Sequence, residues 1–465
     1  MPRSARLLPL LPVALGAGLW FAPLPSGLSE QAWHLFALFA ATIFAVVINA
    51  LPILLASLSG LALSVVTGTL PPPVAYAGFG EGFVLLIVVA FLAGRAVVSS
   101  GLGLRIAHVL VALFGRSTLG LGYAMLATDV LIAPAFPSNT ARSGVLYPIV
   151  YALAESNGSH PEGVTRRRLG AFLMLNSMAG IGLSSAFWLT AMAANTVGVA
   201  LVGERGLEIT FLSWLVASSV PCLVAMVVVP WLLYRLFPPE LTRTPEAPAR
   251  ARQTLSEMGP MSRHEWITAV TFSAMVGGWA LGGPLGVDPT AVAMLGLCAL
   301  MLGGVFTLSD LRKSGAALET LLWFGALFTM SRALDQLGFM AYVGEHLGVA
   351  VQGLSWPVTY VVVLLMYVAL HYVFVSQTAH LLALFPVMLG VATPVVPAPL
   401  MAFSLLFATN YFSVLTPQGS SANVLFAGSG YLTTGEMYRF GGLVTLVNLL
   451  IFLGVGTPWL MFVTG

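Results

Sequence analysis

Hydrophobic residues along the chain group into runs of about 20, the length that an α-helix needs to cross the hydrocarbon core of a bilayer. Eleven such runs can be marked off, and the last of them ends near residue 462. The pattern predicts an all-α membrane protein with about eleven transmembrane helices.

Two further segments, about 119–155 and 356–395, carry a polar tip between two apolar arms. Neither arm is long enough to cross the membrane with the polar tip outside it. Each segment is therefore predicted to be a re-entrant hairpin that enters and leaves on the same side. Irregular backbone at that depth is tolerated only where protein or a water-filled cavity surrounds it.

The two tips share a motif, S-x-T-A followed by six residues and then proline, at an offset of 238 residues: Ser138, Thr140, Ala141 and Pro148, then Ser376, Thr378, Ala379 and Pro386. Two more matches keep the same order: Arg95, Ala96 and Gly101 with Arg332, Ala333 and Gly338, and Ala194 and Asn195 with Ala422 and Asn423. An odd number of crossings in each half would turn the second half upside down. This arrangement is the inverted repeat of many secondary transporters, whose binding site lies near the bilayer midplane between the repeats.

The one long hydrophilic connection divides the chain. We expect an N-terminal helix in 1–30, a first repeat in 31–237, a cytoplasmic linker in 238–265 and a second repeat in 266–465. Arginines in the linker place it in the cytoplasm by the positive-inside rule, with the N-terminus inside and the C-terminus outside. The first apolar run could pass for a signal peptide, but it is long and lacks an A-x-A-like site. We interpret it as an uncleaved membrane helix.

Composition supports the membrane assignment. Of 465 residues, 58% are hydrophobic and 8% are charged, whereas about a quarter are charged in soluble domains. A net charge of +2 offers no face for nucleic acid. Cys222 and Cys298 lie in apolar runs without a spacing partner, so we interpret both as core residues without a disulfide or metal role. The absence of an Arg- and Ser-rich transit peptide favours a bacterial plasma membrane.

The polar tips have two possible roles. Ser, Asn and Thr can cap backbone groups left unpaired where short helices end, and capping alone would explain one tripeptide. Two copies, each followed by a second polar break in a membrane helix (176–195 and 410–423), favour a binding role. Neutral amide and hydroxyl donors beside helix N-termini suit a small carboxylate.

Charged and titratable residues flank the tips. Arg142 lies two residues beyond the first tip, where it either anchors a hairpin arm or supplies a counter-charge for a substrate carboxylate or an unfilled cation site. We interpret Asp129 as its partner or as a cap at a helix break. His371 and His380 flank the second tip and are interpreted as core or substrate-lining residues. With Ser376 they would suggest a hydrolase, but no G-x-S-x-G elbow or acidic orienter accompanies them.

The segments PSNTARSGVLYP, SSAFWLTAMAAN, HYVFVSQTAH and TPQGSSAN resemble the divalent anion/sodium symporter family, over nearly the whole chain. Within it, SNTAR and LTAMAAN are closer to the citrate/succinate antiporters and the 2-oxoglutarate/malate translocators. The resemblance implies eleven membrane helices with two re-entrant hairpins, a homodimer held by scaffold domains, and elevator-type movement of a transport domain.

The resemblance also implies which residues bind substrate. One carboxylate would lie between the two tips and beside the two breaks, with these residues around it: Ser138, Asn139, Thr140, Arg142, Thr190, Asn195, Ser376, Gln377, Thr378, Thr416, Pro417 and Asn423. Sodium sites would draw on Ser138 and Asn139 at the first tip and on Ser376 and Thr378 at the second. Gln377 and Arg142 depart from the symporter pattern, which puts sodium coupling in question and makes exchange an alternative.

We therefore expect a secondary active transporter of di- and tricarboxylates such as succinate, malate, 2-oxoglutarate or citrate, working as an exchanger or a sodium symporter. Its expected location is the bacterial inner membrane, and its expected partners are the carboxylate, membrane lipid and a second copy of the chain. No cofactor other than sodium is expected. The alternatives are a carrier of another oxyanion such as sulfate, and an intramembrane enzyme, although we predict that the chain is not an enzyme.

Overall fold

The structure is a computed structural model that describes residues 8–161 and 163–465. Through the first predicted repeat its helices are α1 (Leu10–Trp20), α2 (Glu30–Val47), α3 (Ile53–Val66), α4 (Pro72–Ala77), α5 (Gly82–Ser100), α6 (Leu102–Phe114), α7 (Thr118–Ile132), α8 (Asn139–Ser156), α9 (Gly170–Phe187), α10 (Ala193–Gly203) and α11 (Phe211–Leu236). The remaining helices are α12 (Ala247–Met258), α13 (Arg263–Leu285), α14 (Pro289–Leu302), α15 (Leu308–Arg312), α16 (Gly315–Gln336), α17 (Phe339–Gly348), α18 (Trp356–Leu370), α19 (Gln377–Ala392), α20 (Ala398–Tyr411), α21 (Ser421–Ala427), α22 (Thr434–Ile451) and α23 (Thr457–Thr464).

The lengths and apolar composition of the helices confirm the predicted fold class, an all-α membrane protein. In the part of the chain that the structure describes, eight helical stretches are long and apolar enough to cross a bilayer, and six further apolar helices are shorter. The predicted count of about eleven differs because the runs that form α1, α3 and α14 belong to the shorter helices. Two other predicted spans are each broken in two, the first into α9 and α10 and the second into α20 and α21. Small polar residues at these breaks compete with the helical backbone for hydrogen bonds.

Close contacts divide the chain into two units, and each contains parts of both predicted repeats. The first unit comprises residues up to Val88, Val197–Leu207 and Ser314–Leu405, and the second comprises Val89–Thr196, Glu208–Lys313 and Leu406–Gly465. The chain passes from one unit to the other within α5, α10 and α20, so the units are a different division from the sequence repeats.

The repeated motifs have the same local structure in both copies. Ser138 and Ser376 are the N-caps of α8 and α19, and each hydroxyl accepts a hydrogen bond at 3.3 Å from the backbone N–H three residues later. Gly101 and Gly338 precede α6 and α17 with φ of +81° and +79°, a left-handed conformation that favours glycine. The predicted hairpins correspond to α7 with α8 and to α18 with α19.

In the first unit, polar contacts join helices that are distant in sequence. The Ser331 hydroxyl on α16 donates to the Leu382 carbonyl on α19 at 2.9 Å. Arg332 forms ion pairs with Glu81 at 2.5 Å and with Glu204 at 2.7 Å, and Arg205 pairs with Asp335 at 3.0 Å. The predicted repeat positions Arg95 and Arg332 thus differ in their contacts, because the Arg95 guanidinium instead donates to the Lys313 carbonyl at 3.3 Å.

The predicted linker is an ordered strap on the second unit. Its residues 240–244 bond to the segments that precede α7 and α9, since the Thr244 N–H donates to the Arg116 carbonyl at 3.0 Å and the Leu241 N–H to the Arg168 carbonyl at 2.8 Å. The buried hydroxyl of Thr118 donates to the Leu241 carbonyl. Helix α12 follows and buries Ala247, Pro248 and Ala251. Proline and mixed charge therefore mark a docked segment here and not a free connection.

The interpretation of both cysteines as core residues is wrong for one of them. Cys222 on α11 is buried, whereas Cys298 on α14 is exposed. Leu295 and Leu302 on the same helix are also exposed. In a membrane protein the surrounding solvent is itself apolar, so a hydrophobic run does not distinguish the face toward protein from the face toward lipid.

Candidate functional site

The first tip is built where α7 ends and α8 begins. A 3₁₀ turn, Ala133–Ala135, follows α7, and the chain then runs extended to the cap at Ser138. Pro134 and Pro137 lack the N–H that would continue the helix. Phe136 anchors the tip by packing in a cluster with Val97, Ile132 and Ala135.

A buried charge lies directly behind this tip. The guanidinium of Arg142 is fully buried, and its Nη1 donates to the two Asp129 carboxylate oxygens at 3.2 and 3.1 Å. The same nitrogen is 2.5 Å from the Ser184 hydroxyl. Asp129 is therefore the partner of Arg142, as predicted. A buried charge is stable only when paired and hydrogen-bonded, so this network holds the cation in place.

Arg142 also fixes the side chain of Asn139. Its Nη2 donates to Asn139 Oδ1 at 2.8 Å, and the Ser185 hydroxyl donates to the same oxygen at 2.7 Å. Asn139 Nδ2 lies 3.8 Å from Met192 Sδ. Because Asn139 Oδ1 already accepts from Arg142 and Ser185, an anion at the tip would contact the amide N–H groups of Asn139 and not its oxygen.

The first break, between α9 and α10, packs against the tip. The buried Thr190 hydroxyl donates to the Pro134 carbonyl at 3.1 Å, and the Ala193 N–H donates to the Pro137 carbonyl at 3.0 Å. Asn195 is fully buried, and its Nδ2 donates to the Ser185 and Trp188 carbonyls at 2.8 and 3.3 Å. Thr190 and Asn195 were both predicted to bind substrate. In the structure their side chains donate hydrogen bonds to backbone carbonyls around the site.

The second break lies between α20 and α21. Asn423 is buried and donates through Nδ2 to the Ser413 and Thr416 carbonyls, both at 2.8 Å. Thr416 Oγ1 is buried and has no hydrogen-bond partner among the residues that the structure describes, and Pro417 beside it is half-buried. A methyl group on Gly419 would come within 2.3 Å of the Ser413 carbonyl oxygen, so only glycine fits this curve of the chain.

The first turn of α8, which follows the first tip, contacts the first turn of α21, which follows the second break, through a pair of hydroxyls. Thr140 Oγ1 and Ser421 Oγ are 2.5 Å apart, and both residues are exposed. The second unit therefore brings together Ser138, Asn139, Thr140, Arg142, Thr190, Asn195, Thr416, Pro417 and Asn423. This arrangement presents hydroxyl and amide donors with one buried cation behind them, which is suited to a carboxylate.

Four residues of this cluster were missed by the sequence analysis: Ser184, Ser185, Asn410 and Ser421. Asn410 Nδ2 donates to Asn195 Oδ1 at 2.8 Å. Ser184 donates to Asp129 and Ser185 to Asn139, so both belong to the network around Arg142. Nothing in the sequence distinguishes them from the small residues that pack membrane helices.

The second tip belongs to the first unit and is described by itself. Ser376 is half-buried and caps α19, while Gln377 and Thr378 are buried in its first turn. His371 and His380 are fully buried, with ring centroids 5.2 Å apart. The Nε2 atom of His380 is 3.1 Å from the Tyr367 carbonyl oxygen. The second tip therefore repeats the backbone of the first with neutral or titratable side chains in place of an ion pair.

Metal ligation by acidic, thiol or imidazole clusters is absent from residues 8–161 and 163–465, where no group of three or more such side chains lies together. A sodium ion at the first tip would need neutral oxygens such as that of Asn139. That oxygen already accepts from Arg142 and Ser185.

Comparison with known proteins agrees with the fold and the motifs. The family model "Sodium:sulfate symporter transmembrane region" matches residues 4–465. YflS of Bacillus subtilis is 39% identical over 98% of this chain and 96% of its own length. The chloroplastic dicarboxylate transporter 1 of Spinacia oleracea is 40% identical over 98% and 81%. The citrate/succinate antiporter of Escherichia coli is 30% identical over 97% and 96%.

A solved structure extends the likeness in fold alone. The crystal structure of the YdaH transporter of Alcanivorax borkumensis matches 98% of this chain and 97% of its own, with a TM-score of 0.56 at 16% identity. The family match covers almost every residue, and three relatives are at least 30% identical over nearly the full chain. The chain is a multi-pass membrane transporter and belongs to the divalent anion/sodium symporter family.

Proposed function

We propose that the protein is a secondary active transporter that exchanges one di- or tricarboxylate for another. Relatives named as a dicarboxylate transporter and as a citrate/succinate antiporter support the substrate class. The donors of the first tip support it as well, since hydroxyl and amide N–H groups bind a carboxylate without carrying a charge of their own. We propose Ser138, Asn139, Thr140, Thr416 and Pro417 as substrate contacts in the second unit. In the first unit, Ser376, Gln377 and Thr378 are the corresponding proposals.

One observation favours exchange over sodium symport. The Arg142 guanidinium is buried 2.8 Å from the oxygen of Asn139 that a sodium ion would need. It is a permanent cation, because arginine does not lose its proton in proteins. Asp129 balances its charge, but the guanidinium N–H groups, together with the Ser185 hydroxyl, occupy Asn139 Oδ1 and leave that oxygen less able to bind sodium.

Purified protein in liposomes tests this function. Uptake of labelled succinate should require malate or another dicarboxylate inside the vesicles and should be the same in sodium and potassium buffers. Asn139→Ala and Gln377→Ala should each reduce uptake strongly, whereas Thr254→Val on α12, a half-buried residue of the linker, should not. Uptake into vesicles without internal anion, driven by a sodium gradient, would refute exchange.

The same assay separates the substrate classes. Sulfate is the competing substrate, because the matched family model is named for sulfate symporters. Excess sulfate should leave succinate exchange unchanged if the carboxylate proposal is right. Sulfate uptake without any uptake of carboxylate would favour the other oxyanion. Elevator-type movement, a homodimer and the bacterial inner membrane remain predictions from the family resemblance.

A further inference from the structure

Asn195 and Asn423 occupy equivalent positions and make the same pair of hydrogen bonds. Each is the third residue of the helix that follows a break, α10 or α21. Each amide nitrogen donates to the carbonyls ten and seven residues earlier in the chain: Ser185 and Trp188 for Asn195, and Ser413 and Thr416 for Asn423. The sequence repeat thus extends to a repeated side-chain contact across each break.

The chemistry of the amide explains why asparagine fits these positions. The end of a helix leaves carbonyl groups without a partner, and the Ser185 carbonyl is one of them at the end of α9. An amide nitrogen carries two protons and can satisfy two such carbonyls at once. Both asparagines are buried, so water does not compete for these bonds. Each side chain closes the chain around its break into a ring.

We propose that Asn195 and Asn423 are positioning residues, which set the geometry of the two breaks and do not themselves contact the substrate. The proposal rests on the proposed function, in which the breaks contribute contacts to a carboxylate. In the second break the ring includes Thr416, whose buried hydroxyl has no partner within residues 8–161 and 163–465, and Gly419, which lies against the Ser413 carbonyl. A shift of that carbonyl would therefore move the hydroxyl available to a ligand.

A third asparagine connects the first ring to the helix before the second break. Asn410 on α20 donates to Asn195 Oδ1 at 2.8 Å and to the Leu406 carbonyl at 2.9 Å. The amide of Asn195 is thereby occupied on both its nitrogen and its oxygen. This occupation is the reason for assigning it a role in shaping the site and not in direct binding.

Alanine variants with a matched control test the proposal. Asn176, in the first half of α9 and before the helix breaks, is equally buried and donates one hydrogen bond, to the Gly122 carbonyl at 3.0 Å. We expect Asn195→Ala and Asn423→Ala to raise the KM for exchange about tenfold or more, and Asn176→Ala to change it less than about threefold at a similar loss of thermal stability. Asn423→Asp, which keeps the shape but removes the donors, should resemble Asn423→Ala. Equal KM values in all variants at equal stability loss would refute the proposal.

A double-mutant cycle separates positioning from direct contact. Gly419→Ala pushes on the same Ser413 carbonyl that Asn423 holds. If both act through this carbonyl, the double variant should be less impaired than the product of the two single effects. Effects that multiply independently would indicate that Asn423 contacts the substrate itself and would overturn the inference.

Hydrogen exchange gives a readout that does not depend on the transport assay. Backbone amide hydrogens in 188–192 should exchange faster in Asn195→Ala, and those in 412–420 should exchange faster in Asn423→Ala. Neither rate should change in Asn176→Ala. Unchanged hydrogen exchange at both breaks would refute the positioning role of Asn195 and Asn423. The wild-type protein could transport no carboxylate while hydrogen exchange at the breaks still rises in the alanine variants. In that case the proposed function fails and the positioning role stands.

Discussion

Removing the charge of Asp129 is the sharpest perturbation of the candidate site. The carboxylate accepts from Arg142 at 3.1 and 3.2 Å and also from the Ser184 hydroxyl. Asp129→Asn keeps the shape of the side chain but leaves the Arg142 guanidinium, which has no exposed surface, without its counter-charge. Arg142→Met creates the opposite defect, an unpaired carboxylate.

The expected cost follows from burial. Breaking a fully buried ion pair by removing one partner destabilises a protein by about 3–5 kcal/mol, because the remaining charge is left in a low-dielectric interior. For a chain of 465 residues, the unfolding entropy typical of globular proteins converts this into a loss of about 3–5 °C in Tm. The double variant Asp129→Asn with Arg142→Met removes both charges, so most of the loss should be recovered.

Thermal unfolding of the purified protein in detergent, combined with exchange in liposomes, measures this cycle. Exchange should be lost in the double variant although stability returns, because Asn139 Oδ1 no longer accepts from Arg142. The half-exposed pair of Arg205 with Asp335 is the control, and Asp335→Asn should cost less than about 1 kcal/mol. A double variant as unstable as the two single losses added together would refute the argument that pairing holds this charge.

Three further predictions concern the strap, the hydroxyl pair and the repeated glycines. Thr244→Val should destabilise the protein by about 1–3 kcal/mol, since it leaves the buried Gly115 carbonyl without its 2.7 Å donor, and limited proteolysis should then cut the strap faster. Ser421→Ala should raise the KM for dicarboxylate a few-fold without lowering Tm, and an unchanged KM would exclude Ser421 from the site. Gly101→Ala and Gly338→Ala should each cost about 1–2 kcal/mol in thermal unfolding because of their positive φ, although both have open space around them. Gly435→Ala, in open space at an ordinary backbone angle, should be neutral, and equal effects at all three glycines would contradict the conformational argument.

The predictable part of this protein is the part that lipid constrains. A charge in a membrane segment must find a partner, so Asp129 could be paired with Arg142 from sequence alone. The breaks and tips were predictable because polar residues rarely interrupt an apolar span without a structural or functional reason. The contacts of Ser184 and Ser185 were not predictable, since adjacent small residues in a membrane helix are usually packing residues.

Other features depend on tertiary contacts that leave no pattern in the sequence. The strap could not be distinguished from a free linker, because most of its hydrogen bonds to residues 115–118 and 167–168 join backbone groups. The exposure of Cys298 was misjudged because lipid and protein interior favour the same side chains. The sequence predicted that Asn195 and Asn423 lie at the breaks. It could not predict that their amide nitrogens donate to backbone carbonyls, because these contacts depend on how the chain folds around each break.

The offset of 238 residues relates the ion pair of the first tip to a different pair at the second. Arg142 and Asp129 correspond to His380 and Tyr367, and these two again lie in contact, with ring centroids 4.3 Å apart. A guanidinium is always charged, and it can be buried only beside a carboxylate such as Asp129. An imidazole can be buried in its neutral form, so the aromatic Tyr367 suffices as its neighbour. The acid at 129 and the absence of one at 367 are therefore two consequences of one rule, that each tip keeps beside it the partner that its own base requires.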